Sequence, residues 1–135
     1  MNLTLSKPMP LPEFLEWESR QEFHYEFDGL EPVAMTGGTR AHATIQRDLA
    51  VSLSRKLRRK PSNFLGGDLK IEAAARVRYP NGFVGCSPGP NTSTIVTGPA
   101  VVFEILSESA SSADRIEKHE DYRATPSIQR YVILE

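Results

Sequence analysis

Residues 100–107 read AVVFEILS, a continuous apolar run that a single carboxylate interrupts. The run does not alternate between polar and apolar residues, so it predicts a central β-strand buried on both faces. On that strand Glu104 shares a face with Val102 and Leu106. Burying an ionised carboxylate without a partner costs several kcal/mol. Glu104 is therefore either half of a salt bridge or a site residue that a proton or a metal ion neutralises.

Helical patterns lie before and after this strand. Residues 41–57 carry an apolar side chain at every fourth position, which predicts an amphipathic helix that Thr39 caps. Residues 113–124 predict a second helix, with Ser111 or Ser112 as its cap. Two helices around a buried strand favour a layered α/β arrangement.

Shorter segments complete the predicted fold. They are a helix over residues 12–22, a hairpin over 24–35 that turns at Asp28-Gly29, a strand over 63–73, a strand over 83–86 that follows the turn RVRYPNG, and a final strand over 129–135. This order predicts an α/β domain in which helices flank a mixed β-sheet and a hairpin lies near the N-terminus.

The overall composition predicts one ordinary domain over residues 1–135. No apolar stretch approaches the roughly 20 residues that span a bilayer, so no membrane is expected as a partner. The N-terminus has no apolar segment of the signal-peptide kind, which favours the cytoplasm. The only cysteine, Cys86, excludes an internal disulfide and is expected to be a small buried apolar residue.

Charge is unevenly distributed although the net charge is only −1. Residues 1–31 carry seven acids, and residues 40–60 carry seven bases against the single acid Asp48. Such asymmetry can mark a surface that faces a polyanion, and the alternative is a solvated helix face. The candidate nucleic-acid-binding residues are Arg55, Lys56, Arg58 and Arg59.

Two polar residues on the predicted helices are ambiguous on their own. Lys118 lies four residues after Asp114, so it is either a site lysine or half of a weak surface ion pair. His42 lies on the apolar side of its helix, so it is either a satisfied core residue or a group that orients a carboxylate or a water molecule.

The familiar motifs of other chemistries are missing from the sequence. It has no zinc-ligand spacing, P-loop, GxGxxG or GxSxG. Acids, a lysine and an amide remain as candidates, a set that suits Mg²⁺-dependent hydrolysis of phosphodiesters. They are Glu26, Asp68, Glu104, Lys118 and Asn81.

Four stretches of the chain resemble one known family, the bacterial Uma family of restriction-endonuclease-like proteins in the PD-(D/E)XK nuclease superfamily. The resemblance covers about residues 13–135. The stretches are YEFDGLEPVAMTGGTRAHATIQRDL (25–49), GGDLKIE (66–72), RYPNGFVGC (78–86) and VVFEILSESASSADRIEKHEDYRATPSIQRYVILE (101–135).

The resemblance implies a four-stranded mixed sheet flanked by helices, and an endonuclease that uses Mg²⁺ or Mn²⁺ on DNA. It implies that Glu104, Lys118, Glu26 and His42 are catalytic, and that Glu104 and the residue at position 81 bind the metal. In the family the lysine comes from the helix and does not stand two residues after the glutamate. Ile105 and Leu106 follow Glu104 here, which agrees with that pattern.

The chain departs from the family pattern in two places. The family has aspartate after the Tyr-Pro pair, and this chain has Asn81. An amide keeps one oxygen but loses the charge, so weaker Mg²⁺ binding is expected. Relatives also continue past the final strand, which favours a chain truncated at its C-terminus and a sheet edge left open.

Three functions follow from these expectations. The first is a metal-dependent endonuclease whose activity Asn81 puts in doubt. The second is an inactive nuclease-fold protein that binds nucleic acid. The third is a structural or oligomer-forming module, which includes a homodimer. The sequence leaves all three open.

Overall fold

The computed structural model describes residues 8–35, 37–86, 89–106 and 112–135, without the side chain of residue 113. Within these ranges the chain forms three helices and nine strands. The elements are α1 (Leu11–Ser19), β1 (Tyr25–Phe27), β2 (Pro32–Ala34), α2 (Arg40–Lys56), β3 (Asn63–Leu65), β4 (Lys70–Ala73), β5 (Arg76–Arg78), β6 (Gly82–Gly85), β7 (Ile95–Val96), β8 (Val101–Ile105), α3 (Ser112–Arg123) and β9 (Arg130–Leu134).

The strands form two sheets, in the orders β2-β1-β5-β4-β7 and β3-β6-β8-β9. The second sheet is mixed, because β8 pairs antiparallel with β6 and parallel with β9. β8 therefore lies inside the sheet, and Val102, Phe103, Glu104 and Ile105 are all buried. The α/β class, the mixed sheet flanked by helices and the N-terminal hairpin are confirmed, and the buried strand predicted from AVVFEILS is confirmed over Val101–Ile105.

Helix α2 matches its prediction closely. Thr39 caps it, because the Thr39 hydroxyl accepts a hydrogen bond of 3.2 Å from the backbone N–H of His42. The helix packs over β3 and β8. It has no fully buried residue, however, and its apolar side, which includes Leu49 and Leu53, is only half-buried. None of the helices in the described ranges combines the length and apolarity needed to cross a membrane.

The single strand predicted over residues 63–73 is wrong. The chain breaks at Gly66-Gly67, so β3 and β4 belong to different sheets. A Cβ at Gly66 would collide with the backbone of Asn81, and Gly67 has a φ of +80°. The two glycines therefore let the chain pass closely behind Asn81 and change sheets.

The turn predicted over RVRYPNG is also wrong in its first half, since Arg76–Arg78 is strand β5. The true turn is Ala74-Ala75, which closes a two-residue hairpin between β4 and β5. Both alanines have positive φ values, 53° and 62°. This left-handed conformation is typical of Asn-Gly pairs, so a pair of alanines gives no turn signal.

Three smaller expectations have different outcomes. Cys86 is exposed, which corrects the prediction of a buried thiol. Ile95–Val96 forms β7, a short strand that is not among the predicted elements and that pairs in parallel with β4. The predicted cap Ser111 lies outside the described residues.

Helix α1 is held to the first sheet by apolar packing and by a buried carboxylate. Phe14 stacks on Phe27 with ring centroids 4.8 Å apart. Glu18 accepts hydrogen bonds from Lys70 Nζ at 2.8 Å and from the Tyr79 hydroxyl at 2.5 Å. Burial raises the pKa of Glu18, but these bonds outweigh it and leave that pKa below its usual value. The carboxylate is therefore charged, and it ties α1 to β4 and to the segment after β5.

Helix α3 is held to the first sheet by a buried arginine. Arg78 on β5 is 2% exposed and donates to Asp121 from Nε at 2.9 Å and from a terminal nitrogen at 2.7 Å. It also donates to Glu117 at 3.2 Å, and its other terminal nitrogen lies 3.6 Å from Glu26 Oε1. One guanidinium thus joins α3, β5 and β1.

We expect Arg78→Met to lower the free energy of unfolding by about 3–5 kcal/mol, because the buried carboxylate of Asp121 then lacks the guanidinium that bonds it twice. The matched control is Arg76→Met. Arg76 also contacts Glu117 and Asp121, but its side chain is 33% exposed, so a loss of about 1 kcal/mol or less is expected. Urea denaturation measures both, and equal losses would contradict the special role of Arg78.

Candidate active site

Asn81 lies between β5 and β6, at the point where the chain passes from the first sheet to the second. Tyr79, two residues earlier, is fixed on both sides: its backbone N–H donates to Glu26 at 2.9 Å and its hydroxyl donates to Glu18. Gln46 on α2 donates to the backbone carbonyl of Asn81 at 3.2 Å. The position of residue 81 is therefore set by α1, β1 and α2 together.

The side chain of Asn81 bridges β8 and α2. Its Oδ1 accepts a hydrogen bond of 2.8 Å from the backbone N–H of Ile105, which fixes which end of the amide is the oxygen. Its Nδ2 then lies 3.1 Å from His42 Nε2. Because an amide nitrogen only donates, His42 Nε2 accepts in this contact and the ring proton lies on Nδ1.

Glu104 points from β8 toward α3 and is 8% exposed. One carboxylate oxygen, Oε1, accepts a hydrogen bond of 3.2 Å from the hydroxyl of Tyr122. Burial raises the pKa of Glu104 to about 7; the charge of Lys118 opposes this rise, and the charge of Glu26 adds to it. Among the described residues no hydrogen bond to the second oxygen occurs, so the charge of Glu104 is only partly compensated.

Lys118 on α3 lies among carboxylates. Its Nζ is 3.5 Å from Glu26 Oε1 and 3.5 Å from Asp114 Oδ2. Burial acts to lower the pKa of Lys118, but Glu104, Glu26 and Asp114 together outweigh it and raise the pKa above its usual value. The ammonium is therefore kept charged at neutral pH.

Glu26 on β1 connects the cluster to the scaffold. One of its oxygens accepts from the backbone of Tyr79, and the other lies near both Arg78 and Lys118. One oxygen of Glu26 thus holds the ammonium of Lys118, and the other oxygen holds the segment that leads into Asn81.

A cavity of about 440 Å³ opens over this cluster. All five residues predicted as catalytic or metal-binding line it, and their roles remain predictions. They are Glu26, His42, Asn81, Glu104 and Lys118. Asp68, the other candidate acid, does not belong to the lining.

The predicted nucleic-acid-binding residues lie elsewhere. Arg55 and Lys56 are exposed in the last turn of α2, and Arg58 and Arg59 are exposed just beyond it. At about 1.5 Å per residue, this end of the helix lies about 20 Å from His42. The two groups are therefore separate, and only an extended ligand could contact both.

Several residues that line the cavity or support its charged side chains were missed or undervalued from the sequence. Tyr122 and Asp114 stand at helical spacing from Lys118, but spacing alone could not show that α3 packs over Glu104. Arg78 was hidden in the segment wrongly predicted to be a turn. Arg115, one residue beyond Asp114, also lines the cavity, and nothing in the sequence distinguished it from other surface arginines.

The cavity offers oxygen atoms of the type that divalent cations prefer as ligands, but only a few of them. Glu104 offers a partly compensated carboxylate, and Asn81 Oδ1 lies beside the same strand. Hard cations such as Mg²⁺ prefer such oxygens. Within the described ranges, however, no three Asp, Glu, His or Cys side chains are grouped as metal ligands. The set therefore fits Mg²⁺ or Mn²⁺ with one anionic ligand fewer than an aspartate at position 81 would give.

Comparison with known proteins finds relatives and a solved structure. In Synechocystis sp. (strain ATCC 27184 / PCC 6803 / Kazusa), the uncharacterized protein slr1290 is 35% identical over 126 residues, which cover 90% of this chain and 66% of that protein. The uncharacterized protein sll1609 of the same strain is 24% identical over 140 residues, covering 100% of this chain and 79% of that protein. The chain thus spans just under two thirds of slr1290.

A crystal structure with a similar fold comes from Anabaena variabilis ATCC 29413 and is described as that of "a putative nuclease belonging to DUF820". The match has a TM-score of 0.75 and 17% identity, and it covers 93% of this chain and 73% of that chain. At this identity the likeness establishes the fold alone, and it agrees with the nuclease-type fold implied by the sequence.

One family model, Uma2, matches residues 11–135 and carries the description "Putative restriction endonuclease". The match omits only the first ten residues of the chain. It also includes every residue of the cavity described above. The chain therefore belongs to the Uma2 family.

Proposed function

We propose that this protein is a divalent-metal-dependent endonuclease of low turnover that hydrolyses phosphodiester bonds in DNA. The observation that carries the proposal is Glu104, a buried carboxylate with a pKa of about 7, placed in the same cavity as the charged Lys118. Strongly shifted carboxylates that line a cavity are typical of functional sites. Membership of the Uma2 family supports the same reading.

Glu104 and the side-chain oxygen of Asn81 would hold the metal. A bound Mg²⁺ or Mn²⁺ stabilises the negative charge that develops on the phosphate during hydrolysis. The chain's own contribution centres on Lys118, whose ammonium is available to orient a phosphate oxygen or the attacking water. Glu26 and Asp114 keep that ammonium charged and in place.

Asn81 is the reason for proposing low turnover. Its oxygen is neutral, and it already accepts a hydrogen bond from the backbone of Ile105. A cation at this position would gain no charge neutralisation from the amide and would share the oxygen with a backbone N–H. Metal affinity, and with it hydrolysis, should therefore be weak.

A second candidate is a protein that binds nucleic acid without cleaving it. The specific observation in its favour is that both ends of the Asn81 amide are bonded, to Ile105 and to His42, with no metal required. The exposed arginine and lysine side chains at the far end of α2 would contact the phosphates of the nucleic acid. Such contacts are electrostatic and weaken as the salt concentration rises.

Asn81→Asp separates the two candidates. Restoring a carboxylate should increase Mg²⁺- or Mn²⁺-dependent nicking of plasmid DNA by about tenfold or more, which corresponds to roughly 1.4 kcal/mol of added metal affinity. The metal should also raise the unfolding midpoint of this variant more than that of the unmodified protein.

The control for this experiment is Asn81→Asp combined with Glu104→Gln, which should abolish both the nicking and the metal effect. The endonuclease proposal is wrong if Asn81→Asp neither nicks DNA nor responds to metal, while this variant and the unmodified protein both still bind DNA. The second candidate then stands.

Glu104 also predicts a pH dependence of stability. Its folded-state pKa, about 7, is above the reference value of 4.5, so between these values the folded protein binds a proton that the unfolded chain has released. Stability contributed by this group is therefore lost as the pH rises from about 4.5 to 7. Glu104→Gln removes the cost, and without metal it should be more stable than the unmodified protein at pH 8, by about 1–3 kcal/mol.

Thermal and urea unfolding at pH 4.5 and pH 8 measure this effect, and the advantage of Glu104→Gln should vanish at the lower pH. The matched control is Glu72→Gln on the exposed side of β4, which removes a carboxylate that is not buried and should not reproduce the gain at pH 8. If Glu104→Gln were destabilising at pH 8, the carboxylate would have to be stabilised in its charged form.

A further inference from the structure

We propose that the cavity accepts one unpaired nucleotide, so that the substrate is single-stranded or frayed DNA and intact duplex is excluded. The proposal deepens the function proposed above and depends on it for hydrolysis, but its binding step stands on the shape and chemistry of the cavity. One part of the cavity lining is charged, and the adjoining part is apolar and exposed.

The apolar side comes from β2, the edge strand of the first sheet. Val33 and Met35 both line the cavity and are each 41% exposed. Val33 lies on β2 and Met35 is one residue beyond its end, and with Ala34 between them they form the apolar part of the lining. At Gly37, which also lines the cavity, an added Cβ would meet nothing within 4 Å, so that part of the wall is open.

The charged side begins one strand away. In the β1–β2 ladder Val33 pairs directly with Glu26, the carboxylate that holds the ammonium of Lys118. Directly opposed residues of neighbouring strands have their Cβ atoms about 4.5–5.5 Å apart on the same face. An apolar surface therefore adjoins the groups proposed to act on a phosphate, and Arg115 adds a second cation at the cavity.

A nucleotide has the matching polarity, with an apolar base face at one end and a charged phosphate at the other. Val33 and Met35 carry no hydrogen-bond donors that could read base edges, so their contacts need the flat face of a base. In a duplex those faces are stacked, and only the base edges and the backbone are accessible. Unpaired bases can pack on such a surface with little regard to sequence.

The size of the cavity agrees with this occupant. Its volume of about 440 Å³ lies within the range of about 300–1,000 Å³ found for small-molecule sites. That space holds a single nucleotide and does not hold a double helix. A duplex would have to be opened before a base could reach Val33, at a cost of a few kcal/mol.

The test is direct binding without divalent metal, in EDTA and at low salt, so that hydrolysis plays no part. Fluorescence anisotropy compares one labelled oligonucleotide as a single strand and as a blunt duplex. We expect the single strand to bind about tenfold more tightly. Val33→Ser with Met35→Ser should weaken single-strand binding by a similar factor and leave duplex binding unchanged.

The matched control is Leu30→Ser. Leu30 lies in the turn of the same hairpin and is 59% exposed, but it does not line the cavity, so the same loss of apolar surface should leave both affinities unchanged. Met35→Gln provides a milder second variant. Unfolding midpoints and circular dichroism verify that each variant is folded.

A deoxynucleoside 5′-monophosphate, competing against the labelled single strand, should also bind better than inorganic phosphate. Equal affinity for single strand and duplex would overturn the proposal. So would a loss of single-strand affinity in Leu30→Ser as large as that in Val33→Ser with Met35→Ser. If the binding difference holds but neither the unmodified protein nor Asn81→Asp cleaves any DNA, the endonuclease function fails and this proposal survives. If intact duplex is cleaved as fast as single strand, the endonuclease function stands and the proposal of an unpaired nucleotide fails.

Discussion

A buried ion pair between Arg78 and Asp121 places the helix that carries Lys118. Asp121 lies one turn after Lys118 on α3, and Arg78 bonds it twice while also approaching Glu26 on β1. A shift of α3 along the sheet would break both bonds and leave charges buried without partners, at a cost of several kcal/mol. Because one guanidinium spans the two elements, the lysine and Glu26 keep a fixed separation.

The charges around the cavity are dominated by acids, and this gives Asn81 a physical rationale. Glu26, Glu104 and Asp114 surround Lys118, and the charge of Glu26 already acts to raise the pKa of Glu104. An aspartate at position 81 would bring a further negative charge close to Glu104. The amide adds no such charge, so the cluster needs no metal to relieve that repulsion.

The sequence was sufficient for the elements whose patterns arise from local burial. The run 100–107 predicted a buried strand, and the apolar periodicity predicted α2, because both patterns depend on neighbouring residues alone. The resemblance then brought Glu104, Lys118 and position 81 into one hypothesis, and the structure places all three around one cavity. Their chemical roles still rest on the resemblance and on the proposals above.

What the sequence could not provide depends on unusual backbone conformations and on contacts between distant segments. Ala74 and Ala75 adopt left-handed conformations that their side chains do not signal, so β5 was mistaken for a turn and Arg78 with it. Likewise, the break at Gly66 becomes intelligible only once the backbone of Asn81 is seen against it.

The location of the cavity explains why Asn81 has a structural role that needs no metal. The chain passes from the first sheet to the second between β5 and β6, and Glu26 and Glu104 come from different sheets. Tyr79 bonds this crossing to the first sheet through Glu26, and Asn81 bonds it to the second through Ile105. An asparagine and an aspartate both accept that bond from Ile105, whereas only the aspartate adds a charge for the metal. The fold can therefore keep its crossing intact with either residue at position 81, and the difference between the two residues falls on the proposed metal site alone.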